Sequence, residues 1–114
     1  MTTTVDVLRG SHIKAGDTLP AFRAKLLEEG DGFNLTDYDV TMKMKLAEGD
    51  SLTVDDTATT DQENRGIVEY EWSADETNTA GTYEIQFVAD DGAGNVISFP
   101  NSGFARLYIE GGLD

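Results

Sequence analysis

The residues best suited to do chemistry form an acidic loop near the C-terminus, Asp90-Asp91-Gly92-Ala93-Gly94-Asn95. Carboxylate and amide oxygens are ligands that Ca²⁺ prefers, so Asp90, Asp91 and Asn95 are weak candidate metal ligands. The full calcium-loop pattern is incomplete, because the glutamate that closes it is missing at its place. A hairpin explains the same residues, since they tolerate positive φ. We therefore predict a hairpin here, with calcium binding as the alternative.

No catalytic set can be drawn from the remaining residues. His12 is the only histidine, and no nucleophile, base and orienting group can be assembled around it. Carboxylates are so abundant that a pair of them does not indicate a glycosidase. Cysteine is absent, which excludes disulfides, thiolate metal sites and a cysteine nucleophile. We predict a protein without enzymatic activity and without a cofactor.

Three aromatic residues have both a functional and a structural interpretation. Trp72, Tyr70 and Tyr83 could line a platform for a sugar ring. Tyr70 and Trp72 alternate with Val68 along one predicted strand, so all three side chains lie on the same face. Burial in a core is therefore the better interpretation of these aromatics.

The charge limits the classes of partner. Acidic residues outnumber basic ones by 22 to 8, a net charge of −14, so the chain repels phosphate backbones and we expect no nucleic acid partner. No run of about 18 apolar residues exists, and we expect no membrane span. The N-terminus lacks the basic start and apolar stretch of a secretion signal. A further acidic group is better explained as a solvated face than as a metal site: Asp50, Asp55, Asp56 and Asp61.

An acidic surface with few lysines is typical of adaptation to high salt. At about 1 M salt the Debye length is roughly 3 Å, and crowded carboxylates hardly repel one another. At about 0.1 M it is roughly 10 Å, and the same surface would push itself apart. The composition therefore favours a halophilic source, and calcium binding is the alternative explanation.

The elements that must position these residues are strands. Apolar and polar residues alternate with a period of two, most clearly from Val40 to Leu46, where Lys43 and Lys45 share the polar face. Paired lysines of this kind also protect a sheet edge. Turn signals recur between short strands. Residues 51–59 are predicted to form one weak strand, and residues 61–66 a loop. This pattern predicts an all-β fold, an immunoglobulin-like antiparallel β-sandwich of about seven to eight strands.

The domain organisation follows from where the alternation starts and stops. We predict an N-terminal arm over 1–15, the sandwich over 16–110 and a flexible tail over 111–114. The arm is apolar although it precedes the sandwich, so it either adds an edge strand to its own sheet or pairs with a neighbouring subunit. Six residues that fit an inward face poorly, or that lie in the arm, are the predicted protein-contact residues: Val5, Val7, Leu8, Tyr38, Phe104 and Tyr108.

Two stretches resemble the N-terminal domain family of phage baseplate upper proteins and its stand-alone relatives in tailed viruses. The first runs from Gly16-Asp17-Thr18-Leu19-Pro20 through Asn34-Leu35-Thr36 to the alternating strand. The second runs from Gly66-Ile67-Val68-Glu69-Tyr70-Glu71-Trp72 through Gly81-Thr82-Tyr83 to Phe99-Pro100-Asn101. The resemblance covers roughly residues 16–110. Two departures from the family pattern are Asp37-Tyr38-Asp39 after the first corner and Ser102-Gly103-Phe104 near the end.

The resemblance implies an immunoglobulin-like assembly module of a virus particle. We therefore expect a virion structural subunit of a tailed virus, made in the host cytoplasm and present in several copies in a baseplate, tail or head-attached spike. Its expected partners are other virion proteins and copies of itself. Two alternatives come from other classes of function: a carbohydrate-binding module for host attachment, and a calcium-dependent adhesion domain.

Overall fold

The computed structural model describes residues 1–111, so most of the predicted tail lies outside the described residues. Within this range the regular structure is strands and two short 3₁₀ turns. The elements are β1 (Thr3–Arg9), β2 (His12–Lys14), β3 (Phe22–Glu28), β4 (Asp31–Gly32), β5 (Asp39–Leu46), β6 (Leu52–Thr57), β7 (Thr59–Gln62), a 3₁₀ turn (Glu63–Arg65), β8 (Ile67–Tyr70), a 3₁₀ turn (Ala74–Glu76), β9 (Gly81–Asp90), β10 (Val96–Phe99) and β11 (Ala105–Glu110).

The strands form two sheets. The first sheet has the order β1-β3-β8-β7, with β4 beside β3. The second has the order β2-β11-β9-β5-β6, with β10 beside β9. The pairs are antiparallel except β2 with β11, which run parallel. The predicted all-β sandwich is confirmed.

The core lies between the two sheets and follows the predicted alternation. Phe22 of β3 stacks on Phe87 of β9 with ring centroids 6.2 Å apart, so one aromatic pair joins the two layers. Burial of apolar area of this kind is the main favourable contribution to folding. Most residues that the period of two predicts to point inward are buried: Phe22, Ala24, Leu26, Val40, Met42, Met44, Val68, Tyr70, Trp72, Tyr83, Ile85, Phe87, Leu107 and Ile109. Leu46 and Ala105, which the same period places on these faces, are half-buried.

Three details of the strand prediction are wrong. The segment 51–59 is not one strand, because the chain crosses between the sheets at Ala58: β6 belongs to the second sheet and β7 to the first. Ala58 is 3% exposed, so only a small side chain fits this crossing. The predicted loop over 61–66 contains the end of β7 and a 3₁₀ turn. β5 is not an edge strand, since β9 and β6 flank it, and its lysines do not guard an edge.

The N-terminal arm lies in the sandwich of its own chain. Residues 3–9 pair with β3 and residues 12–14 with β11, so of the two alternatives the structure shows pairing within the chain. Asn101 holds the start of β1: its Nδ2 donates to the Met1 carbonyl at 2.7 Å, and its Oδ1 accepts from Thr3 N at 3.3 Å. The Phe99-Pro100-Asn101 motif therefore fastens the first strand.

Tyr83, near the start of β9, makes a contact that closes the corner before this strand. Its hydroxyl donates to the Thr79 carbonyl at 2.7 Å, and its ring is 2% exposed. Burial raises the pKa of the Tyr83 hydroxyl.

Candidate interaction surface

The six predicted contact residues divide into two groups. Leu8, Phe104 and Tyr108 are exposed by 45%, 49% and 37%. The other three pack, half-buried, against the core of their own chain, and they are Val5, Val7 and Tyr38. The ring of Phe33 covers Tyr38 edge-on, with centroids 5.4 Å apart.

The exposed aromatics lie on the outer face of the second sheet. Tyr108 points outward from β11, between the buried Leu107 and Ile109, and stacks on His12 at 4.9 Å. Phe104 immediately precedes β11 and borders a shallow hollow of about 80 Å³. The residues that line this hollow are called the Phe104 patch below, and they are Lys43, Lys45, Leu52, Glu84, Gln86 and Phe104.

Strand register explains why these residues meet. Lys43 is paired with Gln86 of β9 on one side and with Asp55 of β6 on the other. One step along, Lys45 lies between Glu84 and Leu52. Because alternate side chains share a face, the polar positions of β5 and β9 form one outward surface. Phe104 and the 46% exposed Leu52 border it from opposite sides.

The charge on this face differs from that of the whole chain. Four of the eight basic side chains lie on the part of the face between β2 and β6: Lys14, Lys43, Lys45 and Arg106. Three acidic side chains pair with them: Glu110 with Lys14 at 3.4 Å, Asp55 with Lys43 at 3.4 Å and Glu84 with Arg106 at 3.9 Å. This part of the face is therefore close to neutral in a chain of net charge −14.

Sequence reasoning missed several residues of this patch. Leu52 was not singled out, because the weak alternation of its strand gave no signal that its side chain stays exposed. Glu84 and Gln86 are not among the predicted contact residues, because polar residues that alternate with a buried set give no signal for an interface. The spacing of Lys43 and Lys45 was the available signal, but it was assigned to edge protection.

The acidic hairpin uses its carboxylates to hold its own backbone. Asp91 Oδ1 accepts from Ala93 N at 2.8 Å and from Asn95 N at 3.1 Å, while Oδ2 accepts from Asn95 Nδ2 at 2.8 Å. The hydrogen bond from the Asn95 side chain, followed by those from the backbone, lowers the pKa of Asp91. Asp90 Oδ1 accepts from Gly92 N at 2.8 Å. Across residues 1–111, no group of three or more side chains of the metal-binding types comes together.

The other candidate groups also have structural partners. Tyr70, Trp72 and Tyr83 are at most 6% exposed, so they do not form an open sugar platform. Of the four aspartates in the second acidic group, Asp55 pairs with Lys43, and Asp61 lies 2.6 Å from Arg23.

Tyr70 binds the second 3₁₀ turn to the core. Its hydroxyl donates to Glu76 Oε2 at 2.6 Å, and Glu76 Oε1 accepts from Ser73 N at 2.9 Å. Burial first, and then the hydrogen bond to the Glu76 carboxylate and its charge, raise the pKa of Tyr70 far above its ordinary value. These contacts fix a corner and leave Tyr70 without an exposed surface.

Comparison of the chain with known proteins gives no match. No family model matches the chain, and no curated protein matches it. Among residues 1–111, no helix is long and apolar enough to cross a membrane. The resemblance to the baseplate upper protein family therefore stays a prediction that depends on the quoted motifs.

Proposed function

We propose that this chain is a non-enzymatic structural subunit of a tailed virus particle, and that it assembles through the outer face of its second sheet. The observation that carries the proposal is the Phe104 patch. It combines a half-exposed Phe104 and Leu52 with a nearly neutral set of charges, in a chain of net charge −14. Exposed apolar side chains that are grouped on one face mark interaction surfaces.

The proposal includes an immunoglobulin-like topology, which the implied family shares. Two features support it. The strand order places β1, β3, β8 and β7 in one sheet and β11, β9 and β5 in the other, which corresponds to the two sheets of an immunoglobulin sandwich. The Tyr83 hydroxyl bonds to the Thr79 carbonyl at the corner before β9, as the tyrosine corner of such domains does.

Cross-linking mass spectrometry on purified virus particles tests the assembly role. The particles come from the culture that yields this sequence and are kept at high salt. We expect the chain in the particles, with cross-links from Lys43 or Lys45, which lie in the patch, to other virion chains. Lys25 on the opposite outer face is the internal control, and we expect fewer cross-links from it. Absence of the chain from particles, together with abundance in uninfected cells, would contradict the proposal.

A halophilic host is part of the same proposal, and the net charge of −14 supports it. We expect the melting temperature to rise as salt increases from about 0.1 M to about 1 M, because the Debye length falls from roughly 10 Å to roughly 3 Å. Differential scanning calorimetry of the purified chain measures this. An unchanged melting temperature would remove the argument for a halophilic source.

Carbohydrate binding is the second candidate, and one observation favours it. Tyr108 and Phe104 are exposed on the same face, and Tyr108 is stacked on His12. An aromatic surface of this kind can also stack on a sugar ring. A glycan array at high salt separates the two functions, since binding that is lost in Tyr108→Ala would favour host attachment.

A further inference from the structure

Electrostatic repulsion restricts how two copies of this chain can meet. Each copy carries a net charge of −14, so most approaches bring carboxylates together. The face between β2 and β6 is one of the regions without this excess, because its four basic side chains offset the three acidic side chains paired with them. Asp39 and Asp90 lie beyond it, at the end of β5 and β9 near the hairpin.

We propose that the Phe104 patch is a self-association surface, on which a second copy of this chain docks with the same face, sheet against sheet. This inference rests on the proposed assembly role and names its partner. Face-to-face contact of two copies buries Phe104 and Leu52 of both chains and keeps the acidic edges apart. Such a contact is isologous, so the same residues contribute from each copy.

The size of the face permits such a contact. Without Asp90, the ten-residue β9 contributes about 30 Å of strand. The five strands from β2 to β6 span about 19 Å at about 4.8 Å per step. The face therefore measures at most about 570 Å², and a biological interface needs about 500 Å² or more from each partner.

The salt dependence of association distinguishes this arrangement from a contact between the patch and an acidic surface. In the face-to-face arrangement, salt screens the repulsion between two acidic chains and leaves the apolar contact intact, so association strengthens as salt rises. If the lysines of the patch instead held carboxylates of another surface, salt would weaken association.

Analytical ultracentrifugation of the purified full chain at about 0.1 M and about 1 M salt tests the proposal. We expect a dimer that is at least tenfold tighter at the higher salt. Phe104→Asp should weaken it at least tenfold, since it places a charge in the centre of the contact. Leu8→Asp is the matched control, because Leu8 is exposed to a similar extent as Phe104, 45% against 49%, but lies on the first sheet. The dissociation constant of the Leu8→Asp dimer should equal that of the native chain within about twofold.

A cysteine variant gives a second readout that does not depend on the aspartate variants. The native chain has no cysteine, so Gln86→Cys introduces a single thiol in the patch. We expect a short bis-thiol reagent to cross-link this variant as a homodimer and to leave Leu8→Cys monomeric. A monomer at both salt concentrations, weaker association at high salt, or equal cross-linking of the two variants would overturn the inference.

The two proposals fail in different ways. A chain that is present in virus particles but monomeric in solution would overturn self-association and leave the virion role intact. A chain that dimerises through the Phe104 patch but is absent from particles would support self-association and contradict the virion role.

Discussion

The outer faces of the two sheets hold their central basic side chains differently. On the first sheet, Arg23 is only 19% exposed at its side chain and lies between two carboxylates, Asp61 at 2.6 Å and Glu69 at 3.7 Å. On the second, the corresponding central positions hold Lys43 and Lys45, and within residues 1–111 only Lys43 has a carboxylate within 4 Å. The face of the second sheet also exposes aromatic rings at Phe104 and Tyr108.

The difference shows how firmly each face holds its central basic side chains. A guanidinium held between two acids satisfies several hydrogen-bond donors at once and leaves little of Arg23 for a partner to bind. An exposed ion pair between one lysine and one carboxylate contributes little to stability and rearranges easily. The centre of the first face therefore serves the fold, and that of the second is better suited to contact.

The largest expected effect comes from disrupting the core that both sheets share. Phe87→Ala removes the ring that stacks on Phe22 between the sheets, and Phe87 is 1% exposed. We expect a loss of about 3–5 kcal/mol in the free energy of unfolding, from lost burial and the cavity left behind. Urea denaturation at high salt measures it. A loss below about 1 kcal/mol would contradict a core in which Phe87 packs between the two sheets.

A matched pair of substitutions compares the faces directly. Arg23→Gln should cost about 1–2 kcal/mol, because it leaves Asp61 and Glu69 without their cation. Lys43→Gln should cost less than about 0.5 kcal/mol, as exposed single pairs usually do. Chemical denaturation of both variants under one condition gives the comparison. Equal losses would contradict the conclusion that the first face holds its central cation more firmly than the second.

One buried tyrosine in each sheet, Tyr70 in the first and Tyr83 in the second, extends the comparison to alkaline pH. Tyr70 donates to a carboxylate and Tyr83 to a carbonyl, and the native pKa of each hydroxyl lies above the ordinary value of 10.0. Folding therefore favours the protonated hydroxyl. Stability from these groups is complete below pH 10 and falls as pH rises above it, because the unfolded chain loses the protons first.

Phenylalanine variants test this pH dependence. Tyr70→Phe and Tyr83→Phe should each cost about 1 kcal/mol at neutral pH, from one lost hydrogen bond. Both should also flatten the decline above pH 10, and Tyr70→Phe should do so over the wider pH range, because the Glu76 charge raises the pKa of Tyr70 further. Melting temperatures across the alkaline range measure this. A wild-type curve that stays flat above pH 10 would contradict it.

The smallest effect is expected at the hairpin, which lies outside both faces. Asp91→Ala removes the acceptor for Ala93 N and both Asn95 donors, so the loop should loosen while the melting temperature hardly changes. In the native chain the lowered pKa of Asp91 adds stability above the ordinary carboxyl pKa, and this is lost as pH falls through the native value. NMR titration of the loop amides follows it. Ca²⁺ shifting these amides in the native chain would restore the calcium hypothesis.

The sequence predicted the faces of the strands well and their neighbours less well. A period of two fixes which side chains point inward, so Val40, Met42 and Met44 were assigned correctly to the core. The same period carries no information about which strand lies next to which. The lysines of β5 were therefore assigned to an edge, although β9 and β6 flank that strand.

The candidate surface was predicted in part. Phe104 and Tyr108 were identified because they break the inward pattern of the last strand, and both are exposed. Val5 and Val7 looked equally free in the sequence, but they pack on the core once residues 3–9 pair with β3. Leu52 could not have been found, since its place opposite the outward Lys45 depends on the register shift between Met44 and Lys45, which no local signal marks.

The fastening of β1 by Asn101 also bears on how the chain is made. Thr3 Oγ1 donates to the Ser98 carbonyl, and Asn101 bonds to Met1 and Thr3, so these contacts span 95 to 100 residues of sequence. During synthesis, β1 can pair with β3 early, but its bonds to Ser98 and Asn101 form only after nearly the whole domain has left the ribosome. Contacts of such long range form slowly, because loop-closure entropy must be overcome first. For most of its synthesis the first strand therefore has only its pairing with β3, and the fastening at Asn101 is among the last contacts that the nascent chain makes.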